Sequence, residues 1–397
     1  MNLVTISTLY PNKNDPKHGI FVHTRLKHLL NAYPDIKATV IAPVPWFPFS
    51  GKKFGEYAKY AHVPSKENID GITVYHPKYI VIPKVGMYIT PFFLYRSIKR
   101  VVMTLVDTQP IDVIDGHYFY PDGVAIERVA AQFNIPFTCT ARGTDINLIP
   151  TFPKARRMLQ SVFDNAAHMM SVCQALKDEM VEIGVDRERV SVMRNGVDLS
   201  LFSPSDDDEQ YAMKQALGLS TPHLIVSVGW LIERKGHHLI IEALKELPTV
   251  TLVIAGSGPD LEGLKKLARE LGVDARVQFL GAVSQPELNS WFRCADLSVL
   301  ASSREGWANV LLESMASGTP VVATKVWGTP EVVKTRAAGV LVERTSSAIA
   351  QGITSLLQNK TSRDDTRRYA EQFSWNETCD GLYKIFEAIK DNRNIRA

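Results

Sequence analysis

The sequence predicts an α/β protein of two domains, each built on a doubly wound parallel sheet. Three observations carry that expectation. Short apolar runs alternate with helix-period segments in both halves of the 397 residues, as strands and crossover helices do. Polar, glycine-bearing turns follow the apolar runs, at the strand ends where open α/β sheets bind ligands. A charged stretch, Ser203 to Glu209 (S-P-S-D-D-D-E), interrupts the chain near its middle, after which the alternation starts again.

In the first half, Leu3–Ser7 reads as a strand, followed by a polar loop from Thr8 to Gly19 containing Pro11 and Pro16. A helix is expected over Ile20–Asn31 and a strand over Ala38–Ala42. Val113–Asp115 ends a strand that leads into Gly116-His117-Tyr118, with a helix from about Asp122 to Phe133. Phe137–Thr140 is a strand leading to Arg142-Gly143-Thr144-Asp145. Met169–Val172 is a strand, Ala175–Ile183 a helix, and Val190–Met193 a strand ending in Arg194-Asn195-Gly196-Val197-Asp198. One region departs from this rhythm. Pro43–Phe54 and Tyr79–Arg100 mix aromatic, proline and basic residues. That composition suits a face for anionic lipid, or a tucked loop followed by an ordinary core-facing helix.

The second half opens with a strand, His223–Val228, and the loop Gly229-Trp230-Leu231-Ile232-Glu233-Arg234-Lys235-Gly236. A helix over His238–Glu246, a strand over Thr251–Ala255, the turn Gly256-Ser257-Gly258-Pro259 and a helix over Asp260–Leu271 follow. Val277–Leu280 is a strand leading to Gly281. Gly256-Ser257-Gly258 lacks the third glycine of a dinucleotide fingerprint, because Leu261 holds its place. Lys235, just past a strand's carboxyl end, is the better phosphate candidate. Gly339–Val342 is the last strand, with helices over Thr345–Gln358 and Ser374–Lys390.

The most informative stretch is R-E-G-W-A-N-V-L-L-E-S-M-A-S-G-T-P-V-V, Arg304 to Val322. Asp296–Ala301 precedes it as a strand. Ala308–Ser317 forms a helix with Leu311, Leu312 and Met315 on its apolar face, Gly318 terminates it, and Pro320–Thr324 is the next strand. Glu305 lies in the loop and Glu313 in the helix, separated by roughly 12 Å at most at helical rise. Between them lie the unpaired N–H groups of a helix start, which suit a diphosphate. Acceptor, anion hole and acceptor in a row fit a sugar, a diphosphate and a ribose. Taken alone, the pair also reads as one solvated glutamate and one complementing the helix dipole.

Composition bounds the function. Residues 1–100 carry 14 Lys/Arg against 5 Asp/Glu, whereas residues 201–397 carry 22 against 24. The basic character is therefore local to the front of the chain, which suits an anionic surface there and gives no indication of nucleic acid. Cys139, Cys173, Cys294 and Cys379 are isolated, without metal spacing, as expected of reduced, buried thiols in a cytosolic protein. No stretch of 18 apolar residues appears. The N-terminus runs straight into a strand with no signal-like segment. The expected location is cytoplasmic, with peripheral contact on the inner membrane face.

Taken together, these residues resemble the retaining family-4 glycosyltransferases of the GT-B fold. The matching pieces occur in the family's order: Asn195-Gly196-Val197-Asp198, the lysine loop ending Lys235-Gly236, Gly256-Ser257-Gly258-Pro259, Glu305/Glu313, and S-G-T-P-V-V-A-T followed by Gly328-Thr329-Pro330-Glu331. The resemblance implies two Rossmann-like domains facing across a cleft: 1–202 on the acceptor side, joined by a returning helix at 374–397, and 203–373 holding a nucleotide-sugar donor. It implies that Lys235 neutralises the diphosphate, with Arg234 beside it. Glu305 would meet the donor hexose, with the backbone of Trp307, Ala308, Asn309 and Val310 alongside, and Glu313 the ribose. Gly281 and Val283 would border the base. In the first domain, Gly19 would admit the diphosphate, His117 would reach the sugar, and Arg142 and Asp145 would lie on the acceptor side. The expected activity is retaining, metal-independent hexosyl transfer in cell-surface polysaccharide synthesis, from the nucleotide sugar to a glycan or lipid-linked acceptor, with no cofactor. A sugar-nucleotide epimerase on the same fold and a non-catalytic nucleotide-sugar binder are the other readings. Two residues depart from the family pattern: Trp230 replaces an arginine, and Arg142 stands where many members have histidine.

Overall fold

The structure, a computed structural model, describes residues 1–46, 60–82, 86–216 and 221–396. The chain forms two compact units, Met1–Asn195 with Asn376–Ala397, and Gly196–Trp375. The division falls a few residues before the expected 202/203. Gly196 lies directly on the backbone of Ser374 and Trp375, Val197 N–H donates to Phe373 O, and Arg367 donates to Leu199 O and Phe202 O. These contacts tie residues 196–202 to the second unit.

Among the described residues the first unit carries ten strands: β1 Asn2–Ile6, β2 Lys37–Ile41, β3 Val44–Pro45, β4 Lys66–Ile69, β5 Ile72–Tyr75, β6 Lys78–Tyr79, β7 Val113–His117, β8 Phe137–Ala141, β9 His168–Ser171 and β10 Val190–Val192. Eight of them form a sheet in the order β10-β9-β8-β7-β1-β2-β5-β4, and β3 pairs with β6 separately. All neighbours in the main sheet are parallel except β4 and β5. Strand order reverses between β1 and β7, so the loops after these two strands diverge and leave a crevice at their carboxyl ends. Every residue of β7 and β8 is buried, as expected for strands covered by helices on both faces.

The second unit repeats the plan. Strands β11 His223–Val228, β12 Val250–Ala255, β13 Val277–Gly281, β14 Leu297–Leu300, β15 Val321–Thr324 and β16 Gly339–Val342 pair in the order β13-β12-β11-β14-β15-β16, all parallel. The switch lies between β11 and β14. Ile225, Leu252, Ile254, Val299 and Val322 of this sheet pack with Ile241, Ile349 and Ile353 of its helices in one core.

The expected strands and helices are present, with boundary shifts of a few residues. The structure adds elements the sequence reading lacks. β4 and β5 form a hairpin across Asp70-Gly71, both with positive φ (50° and 84°), the backbone of a type I′ turn. Helices Pro153–Asn165, Asp207–Ala216, Gln285–Cys294 and Arg363–Ala370 were also not expected. Asp206 to Glu209, read as linker, opens a helix instead. Asp206 Oδ1 accepts from Glu209 N at 2.7 Å, and exposed acidic side chains stand at the positive end of the dipole. The basic–aromatic segment divides. Residues 47–54, including Lys52 and Lys53, lie outside the described residues. Gly86–Val106 is a helix that buries Leu94, Ile98 and Val102 and exposes Ile89, Phe92 and Met103. All four cysteines are buried free thiols. Among the described residues, no helix is long and apolar enough to cross a membrane.

Candidate active site

In the second unit, the loops after β11 and β14 meet at the switch point. Lys235 Nζ lies 2.5 Å from Glu305 Oε1, and Ser302 Oγ donates to the same oxygen at 2.5 Å. The two loops are joined by Ser303 N donating to Arg234 O at 2.8 Å and by Arg234 Nη1 donating to Arg304 O at 2.7 Å. Arg344 fastens the base of the pair, donating to Ala301 O at 3.1 Å and to Glu233 O at 3.0 Å. Gly236 makes the approach possible. Its φ is +71°, and a Cβ there would stand 2.1 Å from Ala301 O. Arg234 Nη1 is 3.8 Å from Glu305, while Trp230 is 45% exposed on the same loop. The lysine loop therefore keeps a second cation beside Glu305 although Trp230 stands where the resemblance leads one to expect an arginine.

The helix Asn309–Ala316 begins four residues beyond Glu305. No side chain caps its start, and in its first turn Asn309 N donates to Trp307 O at 3.1 Å and Leu311 N to Ala308 O at 3.0 Å. Trp307 and Ala308 are buried ahead of it, and Asn309 and Val310 are half-buried in its first turn. Glu313 is half-buried, and burial alone pushes its carboxyl up to about 7. Gly281 and Val283 lie at the end of β13, two strands from β11. Gly281 O accepts from Gly256 N at 2.7 Å. Gly256 and Gly258 rest against the backbone of Gly229 and Leu231, where a Cβ would collide. The glycine pair thus serves loop packing. His237, after Lys235, is held neutral by burial and by the lysine charge, its pKa lowered to about 4.

The first unit has its own cluster at the β1/β7 switch. Asp122 accepts from Thr8 N at 2.6 Å and Thr8 Oγ1 at 3.0 Å, which holds the loop after β1 to the loop after β7. Gly19, with φ +60°, packs on the Leu9 backbone, where a Cβ would stand 2.1 Å from Leu9 C. Close packing inside the unit is thus enough to require glycine there. His117 is 2% exposed. Its Nε2 lies 3.0 Å from Asp115 Oδ2 and its Nδ1 2.6 Å from Arg142 Nη2. Burial, with Arg142 beside it, lowers its pKa to about 4. The ring is therefore neutral, with Nε2–H donating to the carboxylate and Nδ1 accepting from the guanidinium. With both nitrogens engaged, His117 is turned inward, with the half-buried Arg142 beside it. Asp145 is also turned inward: it is fully buried and accepts from the N–H groups of Phe119, Arg142 and Gly143.

Sequence reasoning missed Asp115, Arg25 and Ser302. Asp115 and His117 sit two apart on one strand and so share a face. Arg25 falls on the apolar stripe Val22, Leu26, Leu29 of its helix. Both signals are readable. Ser302 carries no distinguishing mark. Two cavities, of about 730 and 450 Å³, lie away from these loops, beside Asn134 and Arg393 in the first unit and beside Ser205 and Lys360 in the second.

Comparison with known proteins gives consistent findings. The model described as Glycosyl transferases group 1 matches residues 209–373, and that described as Glycosyltransferase Family 4 matches residues 57–201. A Bacillus subtilis protein assigned to teichuronic acid biosynthesis as the glycosyltransferase TuaC is 28% identical over 404 residues, covering 100% of this chain and 97% of that one. D-inositol 3-phosphate glycosyltransferase of Mycobacterium bovis is 35% identical over 237 residues, covering 56% of this chain and 49% of its own length. Among solved structures, sucrose-phosphate synthase from Thermosynechococcus elongatus superimposes with a TM-score of 0.79 at 18% identity, covering 98% of this chain and 99% of that one. Anabaena Alr3699/HepE in complex with UDP-glucose does so with a TM-score of 0.74 at 20% identity, covering 98% and 100%.

Proposed function

The chain belongs to the family-4 glycosyltransferases of the GT-B fold, and on that premise we propose that it moves a hexosyl unit, with retention, from a nucleoside-diphosphate sugar to a glycan or lipid-linked acceptor in cell-surface polysaccharide synthesis. The observation that carries this reading is the Lys235–Glu305 pair at the β11/β14 switch, followed by an uncapped helix start and the Glu313 carboxyl. The bond from the anomeric carbon to the diphosphate breaks, the acceptor oxygen forms the new bond, and its hydroxyl proton passes to the departing diphosphate. Lys235, with Arg234 second, and the helix N–H groups answer the charge that grows on the departing diphosphate. These groups supply the role a metal ion would otherwise fill, so the proposed transfer needs neither metal nor cofactor. Glu305 answers the positive charge developing on the sugar, Trp307 to Val310 border it through their backbone, and Glu313 accepts from the ribose. In the first unit, His117 acts as a positioning residue for Arg142. The teichuronic acid assignment of TuaC supports a polysaccharide product, and the HepE complex supports a nucleotide-sugar donor.

The acceptor reading extends to location. Helix Gly86–Val106 contains no acidic residue and exposes Ile89, Phe92, Arg96, Arg100 and Met103. Lys154 sits over the Tyr88 ring at 5.5 Å, which brings exposed Phe152 and the basic start of the next helix beside it. This face suits peripheral docking on the anionic inner membrane surface. The test of function is thermal stabilisation by a panel of nucleotide sugars, followed by radiolabel transfer from the best of them. Label appearing on an acceptor is the expected result. Label found only on isomerised free nucleotide sugar would identify an epimerase instead.

A further inference from the structure

The carboxyl ends of β7 and β8 gather guanidinium groups that no carboxylate meets directly. Arg25 is 2% exposed. Its Nε and Nη1 lack any hydrogen-bond partner, and Nη2 reaches only Met170 Sδ at 3.8 Å. Arg142 gives Nη2 to His117 and Nη1 to Asn195 Oδ1 at 3.2 Å, and its buried Nε has no partner. Among the described residues, no carboxylate oxygen lies within 4.0 Å of either group. The nearby acids are engaged elsewhere: Asp115 with His117 and Thr138, Asp145 with three backbone N–H groups, and Asp122 with Thr8. His117 is neutral and only accepts from Arg142. Burial holds the Arg142 guanidinium well below its ordinary pKa, and Arg25 adds to the effect, while Asp115 and Asp145 offset only part of it from beyond ion-pair distance. A buried charge with no directly paired counter-charge is costly.

The geometry of Arg142 is that of a reader of oxyanions. The guanidinium is planar, stands over the Phe21 ring at 5.1 Å, and is braced by His117 and Asn195. Such a fork matches the two oxygens of a carboxylate or a phosphate. The donor diphosphate already has Lys235 and a helix start in the second unit. We infer that the acceptor supplies the missing anion, with Arg142 binding a carboxylate or phosphate group on the acceptor sugar. This rests on the transferase reading above, with the first unit as the acceptor side.

The test is titration of three sugars, glucose, glucuronate and glucose 6-phosphate, into the full-length protein saturated with its best-stabilising nucleoside diphosphate. At least one anionic sugar should bind about 10-fold or more tighter than glucose, and which one does so distinguishes carboxylate from phosphate. Arg142→Gln should abolish that preference. Arg142→Lys keeps the charge but not the fork, so it should weaken the anionic sugar more than glucose, and this variant decides the matter if Arg142→Gln does not fold. Equal binding of all three sugars to the wild-type protein, or a preference that survives both substitutions, overturns the inference while leaving the transferase reading intact. A wild-type protein that binds no nucleoside diphosphate overturns the donor reading, and this inference with it.

Discussion

Lys235 and Glu305 were legible as sequence because each is a charged residue just past an apolar strand, and the fold brings those two strands together. Their direct contact at 2.5 Å was not legible, since it depends on Gly236 letting one loop lie on the other. His117 was expected in the sequence as a site residue, but its inward orientation was not legible, since it arises from Asp115 on its own strand and Arg142 just beyond the next one. Two predictions belong at this scale. Lys235→Ala should cost roughly 3–4 kcal/mol of transition-state stabilisation, the range for one preorganised donor. Arg234→Ala should cost less, because Arg234 is already committed to Arg304 O and stands 3.8 Å from Glu305. Equal losses in kcat/KM would show a phosphate site shared between the two. Glu313→Ala should raise the donor KM by about 10- to 100-fold with kcat less affected, as expected for loss of one charge-assisted hydrogen bond made alike in ground and transition states. Because burial raises Glu313 to about 7, its carboxylate is mostly protonated at about pH 6 and mostly ionised at about pH 8. The ionised form accepts more strongly. The ratio of nucleoside-diphosphate affinity in the wild type to that in Glu313→Gln should therefore rise across this interval, by up to about tenfold. A flat ratio in a pair of calorimetric titrations would remove Glu313 from the ribose.

At the scale of elements, the parallel strands were the easiest to read because burial on both faces makes them continuous apolar runs. Among the described residues, four helices of eight or more residues escaped. Asp207–Ala216 and Arg363–Ala370 are dominated by polar and charged residues and hid behind that composition. Gln285–Cys294 carries a capping box, Ser284 with Glu287, a signal that was present and passed over. The Asp70-Gly71 hairpin was likewise readable as a turn dipeptide between two strand-like runs. The glycine at the end of the lysine loop offers an element-scale test. Gly236→Ala places a methyl group against Ala301 O in a left-handed backbone, which costs about 1–2 kcal/mol from conformation alone, with the collision added. The melting temperature should fall by several degrees, and nucleoside-diphosphate binding should weaken with it. Unchanged melting and binding would show that the two loops do not need this contact.

For the whole molecule, the repeated alternation and the mid-chain polar stretch were enough to give two doubly wound units. The last helix, Asn376–Arg396, was legible as a helix over Ser374–Lys390, but its return to the first unit came only from resemblance. Its place in the first unit is physical: Tyr33 stacks on Tyr383 at 4.0 Å and donates to Asp380 at 2.7 Å, and Arg393 donates to Ile111 O at 2.6 Å. Such contacts span the length of the chain and leave no local trace. The proposed lipid face belongs to this scale as well. Each exposed lysine or arginine there adds about 1 kcal/mol of attraction to an anionic surface. Co-sedimentation with vesicles containing anionic lipid should therefore weaken with salt, and weaken in Arg96→Glu combined with Arg100→Glu and Lys154→Glu. Equal binding to neutral and anionic vesicles would remove the electrostatic account of docking.

The central claim is that the carboxylate of Glu305, held by Lys235 and Ser302 at the switch point of the second sheet, acts on the sugar during transfer. Glu305→Gln keeps the side chain's size and some hydrogen bonding and removes its charge. The measurement is the sugar-transfer rate of this variant, with its nucleoside-diphosphate affinity determined on the same preparation. The account predicts a kcat lowered about 100-fold or more while nucleotide affinity stays within a few-fold of the wild type. A variant that transfers sugar at close to the wild-type rate would make Glu305 only a partner for Lys235, and would contradict the catalytic reading of the site.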